Sequence, residues 1–218
     1  LERLPVPLVL VALAAAVALP LGLALGIAGA VLAGGAVRGG LRLGALLGVS
    51  LPPFWVSYLL IIVFAEYLGL LPTSGQGGPQ TYVMPVIVLA LLPAGTLSRV
   101  VAVTLREALD QPYVVAARAR GATPWSIVMR DALPNAAGPI LSTAGFVGAG
   151  ILTGTLVVEA VFSWSGIGDY FVQAVSFRDI PAVQGCVLVF AIGFIAANRL
   201  ADRAHAAIDP RVALRGAD

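Results

Sequence analysis

Lysine is absent from these 218 residues; all thirteen basic side chains are arginine. There is one cysteine and one histidine, and charged residues of both signs make up only 11% of the chain. Each shortage excludes a class of chemistry. Without lysine there is no P-loop, whose glycine-rich turn sets a Lys on the phosphates, and no Schiff-base catalysis. The lone Cys186 closes no internal disulfide and, among apolar neighbours, reads as a packing residue. The lone His205 lacks the co-ligands of a metal site and reads as a surface residue. There is no His-Glu-x-x-His pattern, no pair of aspartates within an apolar run and no Ser–His pair in register, so the sequence does not support a membrane enzyme. Ser163-Trp164-Ser165-Gly166 lacks the strand–turn–helix setting of a nucleophile elbow and any base nearby.

What the chain has in quantity is apolar surface. Hydrophobic residues are 59% of it and the mean hydropathy is +0.97. A soluble domain of this size cannot bury so much, so the bilayer is the solvent. The apolar runs are about twenty residues long and do not alternate, which selects helices over a closed barrel. Five segments stand out, at residues 6–32, 43–65, 82–103, 139–161 and 182–200. The arginines are placed unevenly around them. Arg38, Arg42, Arg99, Arg106, Arg118, Arg120, Arg130, Arg199, Arg203, Arg211 and Arg215 fall on one side, Arg3 and Arg178 on the other. The arginine-rich side is cytoplasmic by the positive-inside rule, so residue 1 starts outside and the C-terminus ends inside. The opening Leu1-Glu2-Arg3-Leu4-Pro5 has neither charged leader nor cleavage site, and an outside start of this kind implies a further helix before residue 1.

The outer connections differ from the inner ones. Residues 66–80 contain a flexible polar stretch, Thr73-Ser74-Gly75-Gln76-Gly77-Gly78-Pro79. Residues 162–181 alternate aromatics with turn formers and suit a membrane interface; Trp164, Asp169, Arg178 and Asp179 are candidate contacts for an external protein, or members of a solvated loop. Glu66 and Glu159 sit at outer edges, where solvation is cheap, and neither reads as an intramembrane proton carrier. Gly22-x-x-x-Gly26 and Gly150-x-x-x-Gly154 fit close packing faces, or are chance matches among 25 glycines. Pro20 and Pro93 either kink their spans or are tolerated by packing. Gln184 and Asn198 read as polar bridges between helices.

The polar insert at residues 104–138 is the most informative stretch. It reads as two short helices around a corner. Asp110 is a candidate cap and Pro112 a first-turn residue; Ala116, Ala117 and Ala119 let another surface approach. Gly121 supplies the left-handed residue that ends a helix, and Thr123-Pro124 caps and opens the next. There Trp125, Val128, Met129 and Ala132 recur at helical spacing as one apolar face, and Leu133-Pro134 ends the insert. From these residues alone, an amphipathic linker lying on the membrane serves as well as a docking loop.

The pattern Ala116-Ala117-x-x-x-Gly121, followed by Leu133-Pro134, resembles the EAA loop of permease subunits of binding-protein-dependent ABC importers. Val115 and Asp131 stand where the full pattern has an acidic and an apolar residue. Gln111 through Gly121, Ser50-Leu51-Pro52-Pro53-Phe54-Trp55, Val158-Glu159-Ala160-Val161-Phe162-Ser163-Trp164, Arg178 through Gly185 and Asp209-Pro210-Arg211-Val212 resemble the dipeptide/oligopeptide/nickel branch in the same order. Ser165 replaces the usual proline of that branch. The likeness covers nearly the whole chain. The branch has six spans, of which this chain would lack the first.

The resemblance implies an all-α, polytopic type I importer permease: residues 1–204 as the transmembrane domain with five spans and one helix–Gly–helix coupling loop, and 205–218 as a cytoplasmic tail. It implies a bacterial plasma membrane location, two ATP-binding subunits, a second and different permease, and an external substrate-binding protein. ATP and Mg would bind the partners, with no cofactor on this chain, and no nucleic acid is expected. Ala116, Ala117 and Gly121, flanked by Arg118 and Arg120, would contact the ATP-binding subunit, and Leu133 and Pro134 would transmit its motion. Peptides are the favoured cargo, with nickel as the alternative. An ion-driven secondary transporter would need charges placed at mid-membrane, and a scaffold would use the loop for docking alone.

Overall fold

The computed structural model describes the backbone of residues 3–32 and 35–208. Arg211, Arg215 and the Asp209-Pro210-Arg211-Val212 motif lie outside the described residues, as do the side chains of Arg38, Arg42 and His205. Among the described residues the fold is wholly helical. Helix α1 is Pro5–Val31, α2 Gly35–Ser50 and α3 Pro53–Leu60, which continues as a π-helical stretch Ile61–Tyr67. Helix α4 is Pro79–Leu109. In the insert α5 is Pro112–Ala119, α6 Pro124–Ser126, then a π-helical stretch Ile127–Ala132 and α7 Leu133–Asn135. Helices α8 (Ala137–Val161), α9 (Ile167–Ser176) and α10 (Ile180–Ile208) complete the chain.

Four of these, α1, α4, α8 and α10, are long and apolar enough to cross a bilayer. The second expected span, residues 43–65, is not one straight helix: α2 and α3 meet at 106°. The reason is local. Pro53 forces the residue before it out of the helical region, and Pro52 lies extended at φ −61°, ψ 136°. Counting the bent pair as one crossing gives five.

Helix α4 is the centre of the bundle, packed against α1, α8 and α2. It runs six residues beyond the expected span because its buried stripe, Leu97, Val101, Leu105 and Ala108, continues at helical spacing below Val103. Gly22 and Gly26 are the close-approach face of α1. A Cβ on Gly22 would lie 3.0 Å from Leu97 Cβ, and one on Gly26 would overlap Val101. The other glycine pair is not a shared face: Gly154 nears Leu89, while nothing stands within 4 Å of Gly150. The Arg106 guanidinium donates to the Gly29 carbonyl and ties the lower ends of α1 and α4 together.

Two buried clusters divide the bundle. One holds Leu10, Ala14, Val56, Met84, Val88, Leu89, Ile151, Val158, Phe162 and Trp164 toward the outer loops. The other joins Ala30 of α1 and Leu97, Val101, Leu105 and Ala108 of α4 to Val128 and Ala132 of the insert and Ile140 of α8. Cys186 is buried, as expected. Asn198 bonds the Phe194 carbonyl of its own helix at 2.9 Å and bridges to no other helix among the described residues, and Gln184 is exposed.

Candidate coupling loop and outer hairpin

Helix α4 ends at Asp110, whose φ −87°, ψ 0° make it the closing residue of that helix; Gln111, not Asp110, precedes α5. Pro112 opens α5 as the sequence implies. The chain leaves α5 through Gly121 at φ +81°, the left-handed geometry in which a side chain is strained. Thr123 caps the next turn, its Oγ1 accepting from Ser126 N at 3.3 Å.

The insert has a small core of its own. Val114, Ala117 and Ile127 are buried together, with Leu109, Tyr113 and Ala122 packed around them. Ala117 therefore turns inward at 1% exposure, holding the two helices at their corner, while Ala116, Arg118, Arg120 and Gly121 are exposed. Leu133 is half-buried against the lower bundle cluster and Pro134 is exposed. The anticipated face of Trp125, Val128, Met129 and Ala132 is split. Val128 and Ala132 are buried in the bundle, but Trp125 is 62% and Met129 40% exposed. The cause is the π-helical winding of Ile127–Ala132, which breaks the spacing on which that face was read. Trp125 and Met129 join Val115, 68% exposed, as large apolar side chains on the outside of the insert. Burial raises the pKa of the Tyr113 hydroxyl, which stays a neutral phenol.

On the opposite side of the bundle, residues 162–166 fold back over the end of α8. Trp164 is 2% exposed and meets Tyr82 edge to face, with ring centroids 4.7 Å apart. It is thus a core residue, not the surface contact expected from its interfacial setting. Ser163 takes a positive φ of 54° and Trp164 N donates to the Glu159 carbonyl at 2.9 Å, which turns the ring inward. Glu159 is likewise not solvated: it is fully buried, its Oε2 accepting from Gly168 N at 2.7 Å, and Oε1 has no hydrogen-bond partner among the described residues. Gly168 is the second residue of α9, so the carboxylate of α8 caps the N-terminus of α9. Gly166 and Gly168 leave room for it; a Cβ on Gly166 would overlap the carboxylate, and one on Gly168 would lie 2.6 Å from Leu156 Cα. The adjacency of Glu159 to two glycines seven and nine residues on was the available sequence signal for this contact.

Asp169 pairs with Arg3 at 3.9 Å and accepts from Gln173 at 2.6 Å. Asp179 Oδ1 accepts from Ala182 N at 3.1 Å and caps α10. Arg178 is exposed at φ +58°. Asp169, in the first turn of α9, and Arg178 and Asp179, just past its end, thus stand at opposite ends of that helix, and Trp164 is separated from them by burial. Glu66, by contrast with Glu159, is exposed.

Residues 18–214 match the family model described as binding-protein-dependent transport system inner membrane component. A chain of Brucella abortus (strain 2308), provisionally named a peptide transport system permease protein, is 35% identical over 219 residues, covering 97% of this chain and 70% of its own. The dipeptide transport system permease protein DppB of Bacillus subtilis (strain 168) is 36% identical over 170 residues, covering 78% of this chain and 55% of its own. The glutathione transport system permease protein GsiC of Escherichia coli (strain K12) is 36% identical over 168 residues, covering 77% and 55%. In three dimensions the chain superposes on a chain of the MetNI methionine ABC transporter, solved in inward-facing conformations, with a TM-score of 0.73 at 20% identity, over 95% of this chain and 93% of that one.

Proposed function

Because the chain belongs to the family of binding-protein-dependent transport system inner membrane components and has the type I ABC importer permease fold, we propose that it serves an importer of di- and oligopeptides, driven by ATP hydrolysis on separate subunits. The relatives named for peptide, dipeptide and glutathione transport support the cargo class. The chain's lack of lysine supports the placement of ATP and Mg on two partner subunits. A second permease completes the pathway, and an external binding protein delivers solute to the side of the outer hairpin. The insert and the C-terminus face the cytoplasm, a reading that the arginine distribution supports.

One observation carries this reading: the insert is built as a lever. Its outer surface presents Ala116, Arg118, Arg120 and Gly121 beside the exposed Val115 and Trp125. Its inner surface, Val128 and Ala132, is continuous with the buried stripe of α4 and with α1 and α8. A push on the outside reaches three helices through close-packed side chains, not through a flexible tether. ATP-driven closure of the partners then biases the inward-open against the outward-open arrangement. A full population switch needs about 5.5 kcal/mol of differential interaction, shared between the two permeases and both ATP sites.

Gly121→Asp tests the reading. Nothing stands within 4 Å of the new Cβ, so the variant inserts and folds, but the left-handed residue is strained and a negative charge enters the arginine-flanked surface. Membrane insertion stays normal, while solute-stimulated ATP hydrolysis by the assembled complex is lost. Full stimulated hydrolysis in Gly121→Asp refutes the coupling role.

A further inference from the structure

The exposed faces of the spans are not alike. On α10 the exposed residues between Gly185 and Ala197, among them Val187, Leu188, Ile192 and Ile195, are apolar, as lipid demands, and the exposed Gln184 and Arg199 lie outside that stretch. Helix α4 packs against α1, α2 and α8 and leaves different sides open along its length. In the outer half the exposed large residues are apolar, at Val83, Ile87 and Leu92. In the inner half the open side is polar: an open cleft of about 550 Å³ is lined by Thr96, Arg99, Val100, Val103, Thr104 and Glu107. These six follow the 3.6-residue period, so they form one stripe. Thr104 is turned to the Val100 carbonyl at 2.9 Å. Arg99 is exposed and makes no ion pair or hydrogen bond among the described residues. It also borders a second cleft of about 300 Å³ with Leu41, Ala45 and Ser98. Arg99 lies ten residues, roughly 15 Å, before the end of α4 at Leu109, within the cytoplasmic half of the helix.

A charged side chain on a spanning helix faces water or protein in preference to lipid. The central helix is the one whose free face can line a passage. On the reading of the chain as a peptide permease, we infer that this stripe lines the cytoplasmic half of the pathway and that Arg99 receives the carboxylate of the passing solute. The guanidinium presents paired donors that match a carboxylate in two-point geometry. With no partner held to it, Arg99 gives no competing ion pair to break. The open cleft keeps the contact hydrated and therefore weak enough to release, which a passage needs and a storage site does not. Glu107, two turns below on the same stripe, bears the opposite charge, so the carboxylate meets one cationic group on the stripe and no second one that would retain it.

The test uses the full-length permease assembled with its partner subunits and binding protein in proteoliposomes, with labelled trialanine and trialanine amide as probes. The same binding protein serves every variant, so its own selectivity cancels when the acid-to-amide uptake ratio of a variant is divided into that of the wild type. That ratio is about tenfold lower in Arg99→Gln than in the wild type, the change expected on losing one charge-assisted contact, and in Arg99→Lys it falls by less. An unchanged ratio in Arg99→Gln, as for an arginine that reaches lipid headgroups, overturns the assignment. So does an equal slowing of both probes, which marks a structural residue. A wild-type complex that assembles with its ATPase yet imports neither probe removes the peptide reading itself, a result distinct from either.

Discussion

At the scale of single residues, Glu159 shows how little a position along the chain says about its surroundings. It sits two residues before the end of α8, yet it is fully buried and caps α9 through Gly168. Replacing it with alanine leaves that buried N–H without an acceptor, a loss of about 1–3 kcal/mol. Glu159→Gln keeps an acceptor oxygen in place. The thermal unfolding midpoint of the purified protein is therefore expected to fall clearly for Glu159→Ala and little for Glu159→Gln; equal midpoints for alanine and wild type contradict the capping role. Gly121 and Thr123 were legible beforehand, because a left-handed corner and a helix cap are decided by neighbouring backbone atoms. The direction of Ala117 was not legible. It depends on Val114 and Ile127 closing over it, a contact across the corner that no local pattern encodes.

At the scale of elements, the four unbroken spans were legible from hydropathy, and the inner end of α4 shifted by a few residues where burial continued past the apolar run. The α2–α3 bend was written in Pro52-Pro53 but masked by uninterrupted hydrophobicity. The α1–α4 contact gives a sharp prediction. Gly26→Ala places a Cβ against Val101, an overpacking that typically costs about 1–3 kcal/mol. Gly44→Ala, with nothing within 4 Å, is the matched control on another helix. The unfolding midpoint is expected to drop for Gly26→Ala and to stay or rise for Gly44→Ala. Similar midpoints for the two argue that α1 and α4 slide apart without penalty and that the close approach is not a source of stability.

At the scale of the whole molecule, two opposed surfaces are linked by one packed interior. The insert lies at one end of α4 and the outer hairpin over the far end of α8, and the two buried clusters, with Ala18, Ala90 and Ala94 buried between them, fill the length. Sidedness is testable with an impermeant maleimide on a Cys186→Ser background. Arg120→Cys is expected to react only in inside-out vesicles and Gly77→Cys only in right-side-out ones. Labelling of both from the same side breaks the five-crossing topology, and labelling with the two sides exchanged reverses it. When the ATP-binding subunits are present, Arg120→Cys is expected to be protected.

The sequence alone was enough for the solvent and the class of this protein, and it supports a polarity. Apolar runs of bilayer length demand helices, and the uneven arginines support a cytoplasmic insert. It also located the insert and its two helix ends, whose capping is a local matter. Which side of each element packs came only with the fold. Inside a bilayer both faces of a helix are apolar, so hydropathy does not distinguish the Gly26 face of α1, which meets α4, from the exposed Leu13 and Val17. For the same reason Trp164 was expected at an interface and lies in the core, and Glu159 was expected in water and lies beneath a loop. Their surroundings come from residues distant along the chain, and only the folded bundle brings those residues together.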